Sequence, residues 1–210
     1  MQKIQKFIAQ TILKFWGWNI EGGFFTDILK SIIVVAPHRK GFQDVLLGWC
    51  VQALKPIPSK RFLIKYEAYH NPFYGWIMKR LGGFPIDRKR DKGSGVLKGE
   101  YLKKLEELVH SVDRISLVMT PEGTRKETTI ETPEGVFESG APFQKGFYKI
   151  ALDTDLPVVL VAYDYKRKIV VIGRPFYFTG NVTKDLEIVR SWYHTTLPWY
   201  IPRIDDSYFM

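Results

Sequence analysis

Three clusters of polar residues in this chain of 210 residues each follow an apolar run, and each carries groups that could do chemistry. His38 ends the run "SIIVVAPH", and Asp44 closes the polar loop behind it. These types can serve as a general base and the carboxylate that orients it. Asp87 and Arg88 follow "GGFPI"; Glu122, Gly123, Thr124 and Arg125 follow "ISLVMTP". Arginines suit bidentate binding of a phosphate. Open α/β sheets hold their ligands at strand ends. If these three ends converge, one cleft holds a base, its acidic partner and two phosphate-binding guanidiniums. Singly, each has a plainer reading: a structural loop histidine, a strand-end salt bridge, a Pro-Glu-Gly-Thr turn. Their joint occurrence, in this order, is what points to a function.

The elements that must position these groups alternate along the chain. "SIIVVAP" reads as a buried strand and "DVLLGWCVQAL" as a helix starting near Asp44; "RFLIKYE" is a strand, and "PFYGWIMKRLGG" a helix entered through Pro72 and stopped by glycines. "FPIDR" is a short strand, "VLKGEYLKKLEELVHSV" a strongly periodic helix, and "RISLVMTPEG" a strand running into a turn. "KGFYKIALDTD" is a helix, "LPVVLVAYDY" and "KIVVIGRPF" are strands, and "TKDLEIVRSWYHTTL" is the last helix. Such alternation predicts an α/β fold, a mostly parallel central sheet flanked by helices, in a single domain over 21–210. Residues 126–143, rich in Gly, Pro, Thr and Glu, read as a mobile surface insertion. They contain a second Thr-Pro-Glu-Gly, which makes no structural repeat.

Residues 1–20 stand apart. Ile4, Phe7, Ile8, Thr11, Ile12 and Phe15 share one helical face, with Trp16 at its edge, and Lys3, Lys6, Gln10 and Lys14 take the other. This is either a terminal helix packed on the core or a monotopic anchor with its lysines toward anionic head groups. The formal charge of +9 tilts the reading toward the anchor. No run approaches the ~18 apolar residues of a transmembrane helix, and no cleavable signal peptide is evident. Zinc-ligand spacing and nucleic-acid-binding motifs are both missing, which leaves phospholipid head groups or phosphorylated small molecules as the anionic partner. The single cysteine, Cys50, sits in an apolar segment and reads as a small buried hydrophobe in a reducing compartment.

The segments "APHRKGFQD", "LGGFPIDR", "MTPEGTR" and "LPVVLVAYDY", in that order, resemble the motifs of the glycerophospholipid acyltransferase superfamily, specifically the short bacterial 1-acylglycerol-3-phosphate acyltransferase-like proteins. The similarity runs from about residue 28 to 193. It implies that His38 takes the proton of an acceptor hydroxyl, which attacks the thioester of acyl-CoA or acyl carrier protein, while Asp44 holds the imidazole. It implies phosphate binding by Arg88 and Arg125, with Glu122, Gly123 and Thr124 shaping the substrate pocket. The acceptor implied is a lysophospholipid, lysophosphatidic acid first. No metal or tightly bound cofactor is implied, and the place of work is the cytoplasmic face of a membrane.

Two departures qualify the resemblance. The family places four residues between His and Asp; here Arg39, Lys40, Gly41, Phe42 and Gln43 make five. A continuous helix would point His38 and Asp44 to different faces, so the pair meets only if the backbone turns, and Gly41 can supply that turn. The insertion is the second departure, as a surface loop or a lid. Lys40 and Lys145 are further phosphate-contact candidates. Beside the enzyme stand a non-catalytic lipid- or phosphate-binding relative whose altered loop has lost base geometry, and a hydrolase using the same base on water. The His–Asp distance separates the first two.

Overall fold

The computed structural model describes residues 2–23, 27–55, 57, 59–86, 100–123 and 128–204. Along the chain come α1 (Gln2–Trp16), β1 (Asn19–Glu21), β2 (Lys30–Ala36), α2 (Phe42–Leu54), β3 (Lys60–Lys65), α3 (Tyr66–Tyr69), α4 (Gly75–Arg80) and β4 (Gly83–Ile86). Next are α5 (Glu100–Ser111), β5 (Ile115–Met119), β6 (Thr128–Thr132), β7 (Gly135–Ser139), α6 (Gly146–Thr154), β8 (Val158–Asp164), β9 (Ile169–Ile172) and α7 (Val182–Thr196). Seven strands form one sheet in the order β1-β9-β8-β2-β5-β3-β4. All its pairings are parallel except β8–β9, which is an antiparallel hairpin. The architecture is the mostly parallel, helix-flanked sheet that the alternation predicts.

Strand periodicity sorts the core into two layers. Ile32, Val34 and Ala36 of β2, with Leu117 and Leu160, face α5, α6 and α7. Ile33 and Val35, with Val159, Val161 and Tyr163, face α1 and α2. Both β2 and β8 are therefore buried on two sides and are written as nearly unbroken β-branched runs. Leu102, Leu105 and Val109 recur at helical spacing and bury one face of α5. The Asn181 side chain caps α7 by accepting from the Lys184 backbone at 3.1 Å.

Several elements differ from the sequence reading. The segment "RFLIKYE" leaves the sheet at Lys65 and turns into α3, and the helix expected from Pro72 begins at Gly75. A Cβ at Gly75 would overlap the Tyr69 carbonyl, so these short helices pack too closely for one continuous helix. Residues 128–139 of the stretch read as an insertion form an antiparallel hairpin, β6–β7. In α1, the side that packs on the core holds Ala9 and Leu13, both buried, whereas Ile4, Phe7 and Phe15 of the expected apolar face are 65%, 69% and 85% exposed. The helix is thus docked along one edge and presents its aromatic stripe to solvent.

Candidate active site

β2, β5 and β8 are adjacent and parallel, so their C-terminal ends share one edge of the sheet. His38 follows β2, Glu122 follows β5 and Tyr165 follows β8. The five-residue loop between His38 and Asp44 turns at Gly41, whose φ of 56° lies in the region that only glycine enters cheaply. Gly41 is also the residue from which α2 departs. Asp44, in the first turn of α2, reaches back over the loop. Its Oδ2 accepts from the backbone N–H of Arg39 and of Lys40, each at 3.1 Å, and lies 2.8 Å from His38 Nδ1. The extra residue is absorbed because the loop wraps the carboxylate, much as a capping box ties a third-position acid to upstream amides. A negative charge is also favoured at a helix N-terminus. Tyr165 donates its hydroxyl to Asp44 Oδ1 at 2.6 Å, so both oxygens are engaged.

Glu122 supports the loop from the other side. It is 2% exposed; Oε2 accepts from the His38 backbone N–H at 2.6 Å, and Oε1 from the Tyr200 hydroxyl at 2.7 Å. Burial pushes its carboxyl up to about 7 against the pull of Tyr200 and His38, which favour the charged form. The side chain fits because Gly140 faces it: a Cβ there would overlap the carboxylate. Gly123, at φ 62°, turns the chain after Glu122 and donates its N–H to Thr120 O at 3.0 Å.

The arrangement extends to residues that no local sequence signal marks. Arg39 stacks over Trp199, 5.0 Å from guanidinium carbon to ring centroid, and ion-pairs with Glu138 on β7. Lys166 joins Glu138 at 2.8 Å. Burial opposes the Glu138 charge, but Arg39 and Lys166 outweigh it and hold the carboxyl below its usual range. Tyr165, Tyr200, Gly140, Arg39 and Glu138 were not among the expected site residues. Lys40 and Lys145 are exposed. Arg88, Thr124 and Arg125 lie outside the described residues.

His38 lines a cavity of about 650 Å³ between α2 and the sheet, a volume in the range of small-molecule sites. Val45, Gly48 and Val51 wall it from α2, and Val35, Val118 and Phe62 from the strands. A larger hollow of about 980 Å³ between β6–β7 and α7 shares no lining residue with it. Among the described residues no helix is long and apolar enough to cross a membrane.

The chain is similar to proteins of known name. The chain is 29% identical over 121 residues, 54% of its length, to the 1-acyl-sn-glycerol-3-phosphate acyltransferase of Streptococcus pneumoniae. It is 30% identical over 202 residues, 85% of its length, to the enzyme of that name from Saccharomyces cerevisiae. The matches span 42% and 60% of those relatives' own lengths. The crystal structure of the 1-acyl-sn-glycerophosphate acyltransferase of Thermotoga maritima superposes with a TM-score of 0.55 at 19% identity, covering 93% of this chain and 77% of that one, and so shares the fold. A family model described as Acyltransferase matches residues 25–164, which take in His38, Asp44 and Glu122, and the chain belongs to that family.

Proposed function

We propose that the protein transfers a fatty acyl group from a thioester, acyl-CoA or acyl carrier protein, to the hydroxyl of a lysophospholipid, with lysophosphatidic acid as the first candidate acceptor. The observation that carries this reading is the 2.8 Å contact between His38 Nδ1 and an Asp44 carboxylate held by three further donors. With Nδ1 donating to Asp44, Nε2 carries the lone pair. It takes the acceptor's hydroxyl proton as that oxygen attacks the thioester carbonyl. Collapse of the tetrahedral intermediate breaks the C–S bond, and the imidazolium returns the proton to the leaving thiolate. Asp44 fixes the tautomer and stabilises the imidazolium. No acyl-enzyme is required, because the acceptor is itself the nucleophile. Phosphate recognition by Arg88 and Arg125 rests on the sequence resemblance. The donor thioester is a co-substrate, and its chain suits the apolar cavity beside His38.

The work is done at an anionic membrane surface, a reading supported by the exposed aromatic stripe of α1 and the net charge of +9. The binding-only reading needs His38 and Asp44 apart, and their contact weighs against it. The test is transfer of labelled palmitoyl from CoA and from carrier protein to a panel of lysolipids, with His38→Ala alongside. Transfer that falls at least about a thousandfold in the variant supports the base. Equal inactivity of both proteins, or free fatty acid as the product of each, overturns the reading.

A further inference from the structure

Two lysines line the cavity beside His38: Lys65, which is exposed, and Lys60, which is buried. Lys60, the first residue of β3, lines it and is only 7% exposed. Among the described residues no carboxylate stands against its ammonium. Its neighbours are the Cys50 thiol and the ring of Phe62, whose centroid is 5.7 Å from Nζ. Burial brings the ammonium down to about 8 and pushes the thiol up to about 11, so near neutral pH the pair is a cation beside a neutral thiol. An ammonium buried without a counter-charge is costly, and a Lys head group ordinarily escapes to water. Among the described residues nothing supplies that counter-charge, which leaves the ammonium open to a group that enters the cavity.

The strand register says how deep this cation lies. Lys60 is level with Ser116 of β5, which is level with Ser31 of β2. Ser31 and Ser116 are themselves buried and share a hydrogen bond of 3.1 Å. Ser31 stands five residues before Ala36, the end of β2, about 17 Å along an extended strand, and His38 follows just beyond that end. The base and the ammonium therefore stand near opposite ends of the sheet but line one cavity, at a separation that an extended long-chain acyl group spans.

We propose that Lys60 makes the cavity a site for acyl chains bearing an oxygen function, hydroxyl or carboxylate, at the end remote from the thioester. The proposal rests on the acyl-transfer reading above. An oxygen at the far end of the chain accepts from the ammonium and replaces its lost hydration. A methyl end covers the ammonium and offers nothing in return, so it is discriminated against.

The experiment compares palmitoyl-CoA with ω-hydroxypalmitoyl-CoA as donors, for the wild type, Lys60→Met and Lys60→Arg. We expect the wild type to favour the hydroxylated donor by about tenfold in kcat/KM, the scale of one hydrogen bond to a charged group. Lys60→Arg keeps the preference and Lys60→Met loses it. Equal use of the two donors by the wild type, or an undiminished preference in folded Lys60→Met, overturns the proposal. A second readout needs neither turnover nor a variant: displacement of a fluorescent fatty acid from the wild type by palmitate and by ω-hydroxypalmitate. Tighter binding of the hydroxylated acid without any acyl transfer sustains the Lys60 site and rejects the transferase reading; equal displacement rejects the site.

Discussion

At Asp44 two carboxylate oxygens take hydrogens from the His38 ring, two backbone amides and the Tyr165 hydroxyl. Asp44→Asn retains one oxygen for the backbone donors and turns its amide toward Tyr165, whose hydroxyl can rotate to accept. The fold therefore survives, but the charge that would stabilise an imidazolium in the proposed mechanism is gone. We expect kcat to fall about a thousandfold with KM changed only a few-fold; transfer within threefold of wild type would show that Asp44 only shapes the loop. Glu122 gives a pH-dependent prediction of a different kind. Its carboxyl titrates near 7 in the folded protein, against an ordinary 4.5. Between those values the folded state holds more protons than the unfolded one, so stability falls as pH rises through that window. The contribution is fully present below the unfolded value and lost above the folded one, a change of about 3 kcal/mol. Urea denaturation from pH 4.5 to 8 is expected to show this decline in the wild type relative to Glu122→Gln. Parallel profiles would mean that Glu122 is ionised throughout.

The same carboxylate depends on elements far from it in the chain. Tyr200 lies 78 residues beyond Glu122, in the segment after α7. That segment is tied to β7 by the Glu138 N–H to Trp199 O bond at 2.8 Å and the Ser139 hydroxyl to Ile201 O bond at 2.7 Å. It works as a strap that brings a hairpin and a hydroxyl to the His38 loop. Tyr200→Phe removes one of two donors from a buried carboxylate. The expected destabilisation is about 1–3 kcal/mol, and it is larger near pH 8 than near pH 5.5, because the ionised form needs the donor more. An equal loss at both pH values would assign Tyr200 a packing role only. This dependence also explains what the sequence could and could not reveal. β2 and α5 were legible because each encodes its own burial, in a β-branched run and in Leu102, Leu105 and Val109 at helical spacing. His38 and Glu122 were legible because they follow the ends of such strands, Asp44 because it closes the polar loop behind His38, and Gly41 because a loop with one residue too many needs a turn. Tyr165 and Tyr200 were not, since their partners are 121 and 78 residues away and nothing beside either tyrosine distinguishes it. The hairpin β6–β7 was hidden by turn-forming residues on both sides. The apolar stripe of α1 was found, but periodicity alone does not say which neighbour, or whether any neighbour, covers it.

For the whole molecule, the proposed work at a membrane surface turns on that uncovered stripe. α1 packs on the same side of the sheet as α2, which walls the cavity. α3 and α4 add Ala68 and Met78 to the cavity wall and expose Trp76 at 60%, with Phe73 just before α4 at 89%. Arg80 stacks on Trp76, 4.6 Å from guanidinium carbon to ring centroid, so this second aromatic group carries a cation as α1 carries its lysines. Aromatic side chains flanked by basic ones partition into the head-group region of anionic bilayers. On the proposed membrane reading, two uncovered groups on the cavity side would orient the protein with that cavity toward the lipid. Burying one phenylalanine contributes about 1.5–3 kcal/mol. Phe7→Ser and Phe15→Ser together are accordingly expected to weaken sedimentation with phosphatidylglycerol vesicles by at least about a hundredfold, with melting temperature nearly unchanged, because both side chains are exposed. Wild-type binding should also weaken as salt rises, since lysines facing anionic lipid are screened. The double variant should still turn over a short-chain, water-soluble thioester and acceptor at the wild-type rate, because neither residue lines the cavity. Undiminished vesicle binding by the double variant would assign the membrane contact to another face. A matching loss on soluble substrates would mean that α1 serves the site from within the fold, not as its anchor.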